Sequence, residues 1–262
     1  MRLIVILSLV MAGASGVAAQ ERPFLFSITT ESPDAKPAMR FDYDVGVGER
    51  AFQSDVANQP EQRIGVQGSL GRLTVLARLG IAAAGSSYQS SQSAELLYSA
   101  LPPASQVSLA AGGGVLHEPD GTNVLLSRIV AGRATEASDL YGNLLFQKPL
   151  SSQRDALDLI TSAGWARKLS HGVSLGVEAI GEDLEGFWEA NEAEGGARLL
   201  VGPSVHVSPH NQRWQLIATG GPLFHPTNTG RASSAFRDLP PDANRTSYAV
   251  KASLSIALGA ER

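Results

Sequence analysis

The chain has 262 residues, a formal net charge of −4 and no cysteine. A protein without thiols forms neither disulfides nor thiolate metal sites, so packing and backbone hydrogen bonds must hold this chain together. Its length is sufficient to bury a sizeable core. The acidic balance, with no basic stripe along the sequence, argues against a nucleic-acid partner.

The first nineteen residues have the three parts of a secretory signal peptide. Arg2 precedes an apolar run over 3–12, and small residues over 13–19 follow it. This order predicts export and cleavage after Ala19. The alternative is an uncleaved membrane anchor, but the apolar run is shorter than the ~20 residues that span a bilayer. No later run is longer, so spanning helices are not expected, and a closed barrel is the other architecture that satisfies backbone groups in lipid.

Residues 20–37 form a separate segment before the first regular pattern. A short strand is possible at Phe24–Ile28, and Pro33 and Pro37 break the chain after it. We interpret the segment as a periplasmic leader or as an arm inserted into the barrel lumen.

From residue 38 onwards, apolar residues alternate with polar or small residues, which is the period of a β-strand with one apolar face. In 248–258 the alternation is clearest, with Val250 and Leu254 on one face and Lys251 and Ser253 on the other. Twelve such strands are predicted, each close to the ~9–11 residues of a tilted membrane strand. They lie near 38–48, 62–70, 73–83, 93–101, 106–117, 123–133, 139–148, 156–168, 172–182, 196–207, 213–224 and 246–258.

The predicted connections alternate in length. Short links lie at 71–72, 102–105, 134–137, 169–171 and 209–211, and longer ones at 49–61, 84–92, 118–122, 149–155, 183–195 and 225–245. Short periplasmic turns and long outer loops are typical of outer-membrane barrels.

These patterns resemble bacterial outer-membrane β-barrel proteins in general, of the porin or transporter kind, and no specific family. The resemblance covers 38–258, in a barrel domain of 38–262, and includes the spaced apolar residues Leu254, Ile256 and Leu258 near the end. It implies an all-β, antiparallel, up-and-down transmembrane barrel in the outer membrane. Outer-membrane lipid, lipopolysaccharide and the barrel-insertion machinery would be its partners. The chain departs from the pattern by ending without a terminal aromatic residue, and its 6% aromatic content gives thin aromatic girdles.

A soluble secreted β-protein would show the same alternation, so the orientation of the polar face matters. That face carries charges of both signs. If it points inward, these charges neutralise one another around a hydrated lumen and are candidates for setting selectivity. The predicted lumen-lining residues are Arg40, Asp42, Asp44, Arg63, Arg78, Glu95, Arg198 and Lys251.

Three functions follow from this interpretation. The leading hypothesis is a channel or transporter-like pore for a small polar solute, and the alternative is a non-conducting structural or interaction barrel. A third, an outer-membrane hydrolase, depends only on the pair Ser204 and His206, and the favoured explanation of this pair is two ordinary polar lumen residues. No enzyme activity, cofactor or resident metal is predicted.

Two further segments draw notice. The acidic connection 182–194 has six carboxylates and no basic residue, so it could bind Ca²⁺ or meet lipopolysaccharide, or it could simply be a solvated loop. The run Gly112–Gly114 within a strand pattern predicts a bulge or a sharp curvature.

Overall fold

The computed structural model describes residues 38–48, 61–84, 87–101, 107–119, 121–150, 157–170, 172–182, 198–208, 213–224 and 246–258. Over these ranges the chain forms twelve strands. They are β1 (Ala38–Gly48), β2 (Glu61–Leu70), β3 (Leu73–Ala84), β4 (Ser87–Ser99), β5 (Val107–His117), β6 (Asn123–Ala134), β7 (Ser138–Pro149), β8 (Asp158–Ser170), β9 (Val173–Glu182), β10 (Arg198–Val207), β11 (Trp214–Phe224) and β12 (Thr246–Leu258). None of the described ranges contains a helix long and apolar enough to cross a membrane.

The strands close into a single antiparallel barrel. Each strand pairs with its neighbours in sequence, and β1 pairs with β12 to complete the ring. Phe41 lies opposite Ile256 in this closing pair. Because every strand has a partner on both sides, no sheet edge is left among them. The predicted fold class, an up-and-down barrel of twelve strands, is confirmed.

The barrel has two distinct ends. At the short-turn end, strands are joined by the links 71–72, 135–137 and 171–172. Gly71 and Gly172 adopt positive φ angles of 59° and 78° there, which favour glycine over residues with a Cβ. At the long-loop end lie the connections 49–60, 183–197 and 225–245, which are outside the described residues.

The predicted start of the fourth strand, at residue 93, and the predicted long loop 84–92 before it are wrong. β4 begins at Ser87, six residues before the predicted start, so only residues 85 and 86 separate it from β3. The sequence Ser90-Ser91-Gln92 hid this strand because it is polar on both faces. In the structure Ser91 is buried and Ser90 is exposed, so the strand continues here without an apolar outer face.

The outer surface of the barrel is apolar. Val75 on β3 is 52% exposed, whereas its neighbour Leu76 is 2% exposed. Exposed aliphatic residues recur at every second position around the barrel, and examples are Ile64, Val66, Leu96, Leu125, Ile129, Leu144, Val177 and Val250. A barrel surrounded by water would carry polar side chains at these positions, so the outer face has the composition of a lipid-facing surface.

Aromatic side chains gather near both ends of this outer surface. Tyr98, Trp165 and Trp214 lie exposed toward the short-turn end. Tyr88, Phe224 and Tyr248 lie exposed at the long-loop end. The sequence predicted thin girdles of this kind.

Gly112 and Gly114 mark a close approach of strands and not a bulge. The register of β5 with β4 and with β6 is continuous across both residues. A Cβ on Gly112 would collide with the carbonyl oxygen of Leu96, and one on Gly114 would lie 2.8 Å from the Cα of Glu95. The bulge alternative is therefore wrong, and the curvature alternative stays a prediction. The irregularity that the structure does contain lies between Lys168 and Ser170.

Candidate functional site

The inner face of the barrel is the candidate functional site, because its charged side chains are buried there. The first group, the Asp44 cluster, consists of Asp44, Arg63 and Ser253. Arg63 donates from Nε to Oδ2 of Asp44 at 2.8 Å, and the Ser253 hydroxyl donates to Oδ1 at 2.6 Å. The pairing of β1 with β2 places Asp44 directly opposite Arg63. Both charges are thus neutralised within the wall that bears them.

The second group, the Glu95 cluster, consists of Arg78, Glu95 and Arg128. Arg128 donates to Glu95 through two hydrogen bonds, Nε to Oε2 at 2.6 Å and Nη2 to Oε1 at 2.8 Å. Arg78 donates one longer bond, from Nη1 to Oε1 at 3.3 Å. A two-bond arginine–carboxylate pair fixes both side chains in one plane, so Glu95 is held mainly by Arg128.

Glycines make the Glu95 cluster possible. Arg128 belongs to β6 and Glu95 to β4, so the pair spans the intervening strand β5. The residues of β5 opposite them are Gly112, which faces Arg128, and Gly114, which faces Glu95. Since neither has a side chain, the guanidinium group can lie across β5 and reach the carboxylate.

The third group, the Glu178 cluster, consists of Glu178, Thr219 and Lys251. Lys251 donates from Nζ to Oε1 of Glu178 at 2.6 Å, and the Thr219 hydroxyl donates to Oε2. Glu178 lies on β9, whereas its partners lie on β11 and β12. Its neighbour on the intervening strand β10 is Gly202, so a glycine again leaves room for a buried charge pair.

An aromatic contact completes the inner layer. The ring of Tyr141 lies against Gly164, where an added Cβ would collide with it. Its hydroxyl is 3.5 Å from Nε2 of His206, and the two ring centroids are 5.9 Å apart. Ser204, two residues before His206, is buried and its hydroxyl oxygen has no hydrogen-bond partner among the described residues. The Ser204–His206 pair therefore lacks the nucleophile-to-base hydrogen bond that a hydrolase needs.

Aliphatic side chains fill much of the remaining inner face. Leu76 and Leu97 pack with Val130, and Ile180, Leu200 and Leu223 pack together on the opposite part of the wall. All of these side chains are at most 2% exposed. The inner face is thus a packed mixture of ion pairs and aliphatic residues, whereas the sequence suggested a polar face around water.

A partly open cavity lies beside the Glu95 cluster. Arg63, Arg78 and Arg128 contribute to one part of its lining, and an aliphatic part is formed by Leu116, Leu126, Leu145 and Ile160. Glu118 and Gln147, which also line it, lie near the strand ends that face the long-loop end. The cavity therefore extends from the middle of the barrel toward that end.

Seven of the eight predicted lumen residues have described side chains, and all seven lie on the inner face. Asp44, Arg63, Glu95 and Lys251 are buried and belong to the three clusters. Arg78 joins the Glu95 cluster, Arg40 is half-buried, and half-buried Asp42 accepts a 2.6 Å hydrogen bond from Ser255. The side chain of Arg198 lies outside the described part. The role of these residues in selectivity stays a prediction.

Sequence reasoning missed two charged residues of the site. Arg128 was not predicted because Val124, Leu126 and Val130 on the same face are apolar, so β6 shows no polar stripe. Glu178 lies on the polar face of the predicted strand 172–182, opposite Leu175 and Val177, but it was not among the predicted lumen-lining residues. The pairing of Glu178 with Gly202, a residue without a side chain, is visible only once the strand register is known.

Three other predicted features fall outside the described residues. They are the signal segment 1–19, the segment 20–37 and the acidic connection beyond Glu182.

No family model matches the sequence, and no curated protein matches it. Solved structures of similar fold are outer-membrane proteins. One is a bacterial polysaccharide outer membrane secretin, with 8% identity over 84% of this chain and 98% of that chain and a TM-score of 0.44. The outer-membrane expressed OmpT of Vibrio cholerae has 8% identity over 90% of this chain and 100% of its own, with a TM-score of 0.41. The outer membrane channel DcaP of Acinetobacter baumannii has 8% identity over 89% of this chain and 100% of its own, with a TM-score of 0.34.

The similarity is thus to bacterial outer-membrane β-barrels in general, and no particular family stands out. At such identities and TM-scores, the neighbours say nothing about what this chain does. Its function has to be inferred from its own surfaces and interior.

Proposed function

We propose that this chain is an exported barrel of a bacterial outer membrane whose interior is closed to solutes in the state described. The apolar outer surface and its aromatic ends support the location, since they match the hydrocarbon and interfacial layers of a bilayer. Closure of the ring removes the unpaired backbone groups that lipid could not satisfy. Outer-membrane lipid, lipopolysaccharide and the insertion machinery are the proposed partners.

The observation that carries the closed interior is the burial of the charge pairs. Glu95 is 3% exposed, Arg128 is 3% exposed and Glu178 is fully buried. In a water-filled pore these side chains would face the aqueous path and be accessible. Instead they bond to one another over intervening glycines and lie in the same inner face as fully buried leucines. This arrangement favours the non-conducting barrel over the open channel.

A channel for a small polar solute is the second candidate, and the cavity beside the Glu95 cluster favours it. The cavity extends toward the long-loop end, from which a solute could enter it. Conduction would require the side chains of the Glu95 and Glu178 clusters to move apart and open a path through the interior. No catalytic role is proposed, because the Ser204 hydroxyl does not bond to His206.

Planar-bilayer recording of the full-length protein tests the closed interior. Heat-modifiable gel migration first establishes that the inserted sample is folded, so that silence is not due to failed insertion. We expect wild-type protein to give no steady current steps. Defined current steps from wild-type protein would overturn the closed interior and support the channel.

A double variant provides the matched control for this recording. Glu178→Ala combined with Lys251→Ala removes both partners of a buried ion pair together. It also shortens two inner side chains in the Glu178 cluster. If side chains close the interior, this variant gives larger or more frequent current steps than wild-type protein under the same conditions.

A further inference from the structure

Arg78 is the one member of the Glu95 cluster whose guanidinium group is poorly bonded. Its side chain is 8% exposed, yet among the described residues it makes a single hydrogen bond, to Oε1 of Glu95 at 3.3 Å. A guanidinium group has five N–H donors, and a buried one normally has its donors matched. Arg128 donates to both oxygens of the same carboxylate at shorter distances, so Glu95 is only a weak hydrogen-bond acceptor for Arg78.

The cavity lies beside these donors. Arg78 lines it together with Gly80, the next inward-facing residue of β3, which contributes no side chain to fill the space. Ser91 and Ser93 on the neighbouring strand β4 lie opposite Gly80 and Arg78 and line the same cavity. A buried cation therefore faces an unfilled space with small polar groups beside it.

Another part of the lining is aliphatic and belongs to a packed cluster. Leu126, Leu145 and Ile160 are buried together with Val124, and Leu116 packs against them. These side chains present an apolar surface to the same space that Arg78 enters. A ligand that fits both parts has a negative group at one end and a short apolar tail.

We propose that this cavity binds a small carboxylic acid in its ionised form, with Arg78 holding the carboxylate and the aliphatic residues enclosing the tail. A guanidinium group matches a carboxylate through two parallel hydrogen bonds, which the single bond to Glu95 leaves possible. Two carboxylates also line the cavity, Glu95, whose two oxygens accept hydrogen bonds from Arg128, and Glu118 near the long-loop end. The charged end of the ligand therefore lies at Arg78, away from Glu118.

Thermal unfolding of the purified barrel in detergent, with hexanoate as the probe, tests this site. Millimolar hexanoate raises the melting temperature of wild-type protein, since a ligand of the folded state stabilises it. Hexanol, which has the same tail without the charge, gives no comparable shift. Acetate, which lacks the tail, gives a smaller shift than hexanoate. The measurement is made in micelles, so its outcome does not depend on where the barrel lies in the cell or on whether it conducts.

Two variants separate binding at Arg78 from a general effect of an anionic amphiphile. Arg78→Gln weakens hexanoate binding at least about tenfold, which corresponds to the loss of about 1.4 kcal/mol. Arg133→Gln removes the same charge from an exposed position on β6 and keeps the wild-type response. Glu95 keeps both bonds to Arg128 in the first variant, so the barrel is expected to fold.

A cavity-filling variant keeps the test decisive if Arg78→Gln does not fold. Gly80→Val leaves every charge in place and occupies the space beside Arg78, so it also abolishes the response. The proposal is overturned if wild-type protein shows no shift, if hexanol acts as strongly as hexanoate, or if a folded Arg78→Gln or Gly80→Val barrel responds like wild-type protein.

Discussion

Arg128 reaches Glu95 across a strand that has only glycine between them. The two hydrogen bonds, at 2.6 and 2.8 Å, join β6 to β4 over Gly112 and Gly114 of β5. The glycines and the ion pair therefore depend on each other. Because β5 has no side chain at Gly112 and Gly114, the buried salt bridge can lie flat against the barrel wall. The Glu178 cluster repeats the arrangement over Gly202.

The first prediction concerns Gly114. Changing Gly114→Ala places a Cβ 2.8 Å from both the Cα and Cγ of Glu95, so the carboxylate and the strand must move. We expect a loss of about 1–3 kcal/mol in the free energy of unfolding, as for other overpacked interiors. Urea unfolding of the barrel followed by tryptophan fluorescence measures this.

Gly68 is the matched control for this substitution. A Cβ there meets nothing within 4 Å, so Gly68→Ala should leave stability unchanged or slightly raise it. Equal effects of the two substitutions would contradict the steric role of Gly114.

A second prediction concerns the carboxylate between the two arginines. Glu95→Gln keeps the shape of the side chain but leaves two buried guanidinium groups without their anion. Breaking a buried ion pair by removing one partner costs about 3–5 kcal/mol, so unfolding should need much less urea.

The exposed pair of Lys168 and Asp139 serves as the comparison. Its side chains are 40% and 35% exposed, and Asp139→Asn should cost about 1 kcal/mol or less. If Glu95→Gln proved as mild as this surface change, the Glu95 cluster would not hold the interior together.

The third prediction tests the outer surface. Ile129 faces outward near the middle of β6, whereas Leu70 faces outward at the short-turn end of β2. In a bilayer, Ile129→Arg should cost about 2–4 kcal/mol and Leu70→Arg about 0–1 kcal/mol, because the cost depends on depth. Unfolding of both variants in lipid vesicles measures the difference. A barrel surrounded by water would tolerate an arginine at both positions about equally.

Much of the fold was predictable from the sequence because side-chain alternation and strand length are local properties. The strand at 246–258 matches β12 in both bounds, and its apolar and polar faces are the outer and inner faces of the barrel. β4 was shortened in the prediction because its first residues are polar on both faces. Alternation fails as a signal where neither side of a strand is apolar.

The candidate site was predictable only in part. Asp44, Arg63 and Lys251 were identified because each lies on the polar face of a strand whose other face is apolar. The bonds that join Arg128 to Glu95 and Lys251 to Glu178 depend on register across several strands, which no local pattern contains. Equally, the cavity beside Arg78 depends on seven different strands and on the missing side chain of Gly80, so it emerges only from the folded barrel.

The orientation of the two faces is the central claim, and single-cysteine labelling in membranes tests it most directly. The chain has no native cysteine, so each introduced thiol is unique. Val177 is 52% exposed on the outer face, and Ser204 is 4% exposed on the inner face. With a bimane label on Val177→Cys, bromine-substituted lipids should strongly quench the fluorescence, while the thiol of Ser204→Cys should stay unreactive until the barrel is unfolded. Unquenched bimane at Val177 together with ready labelling of folded Ser204→Cys would contradict the account.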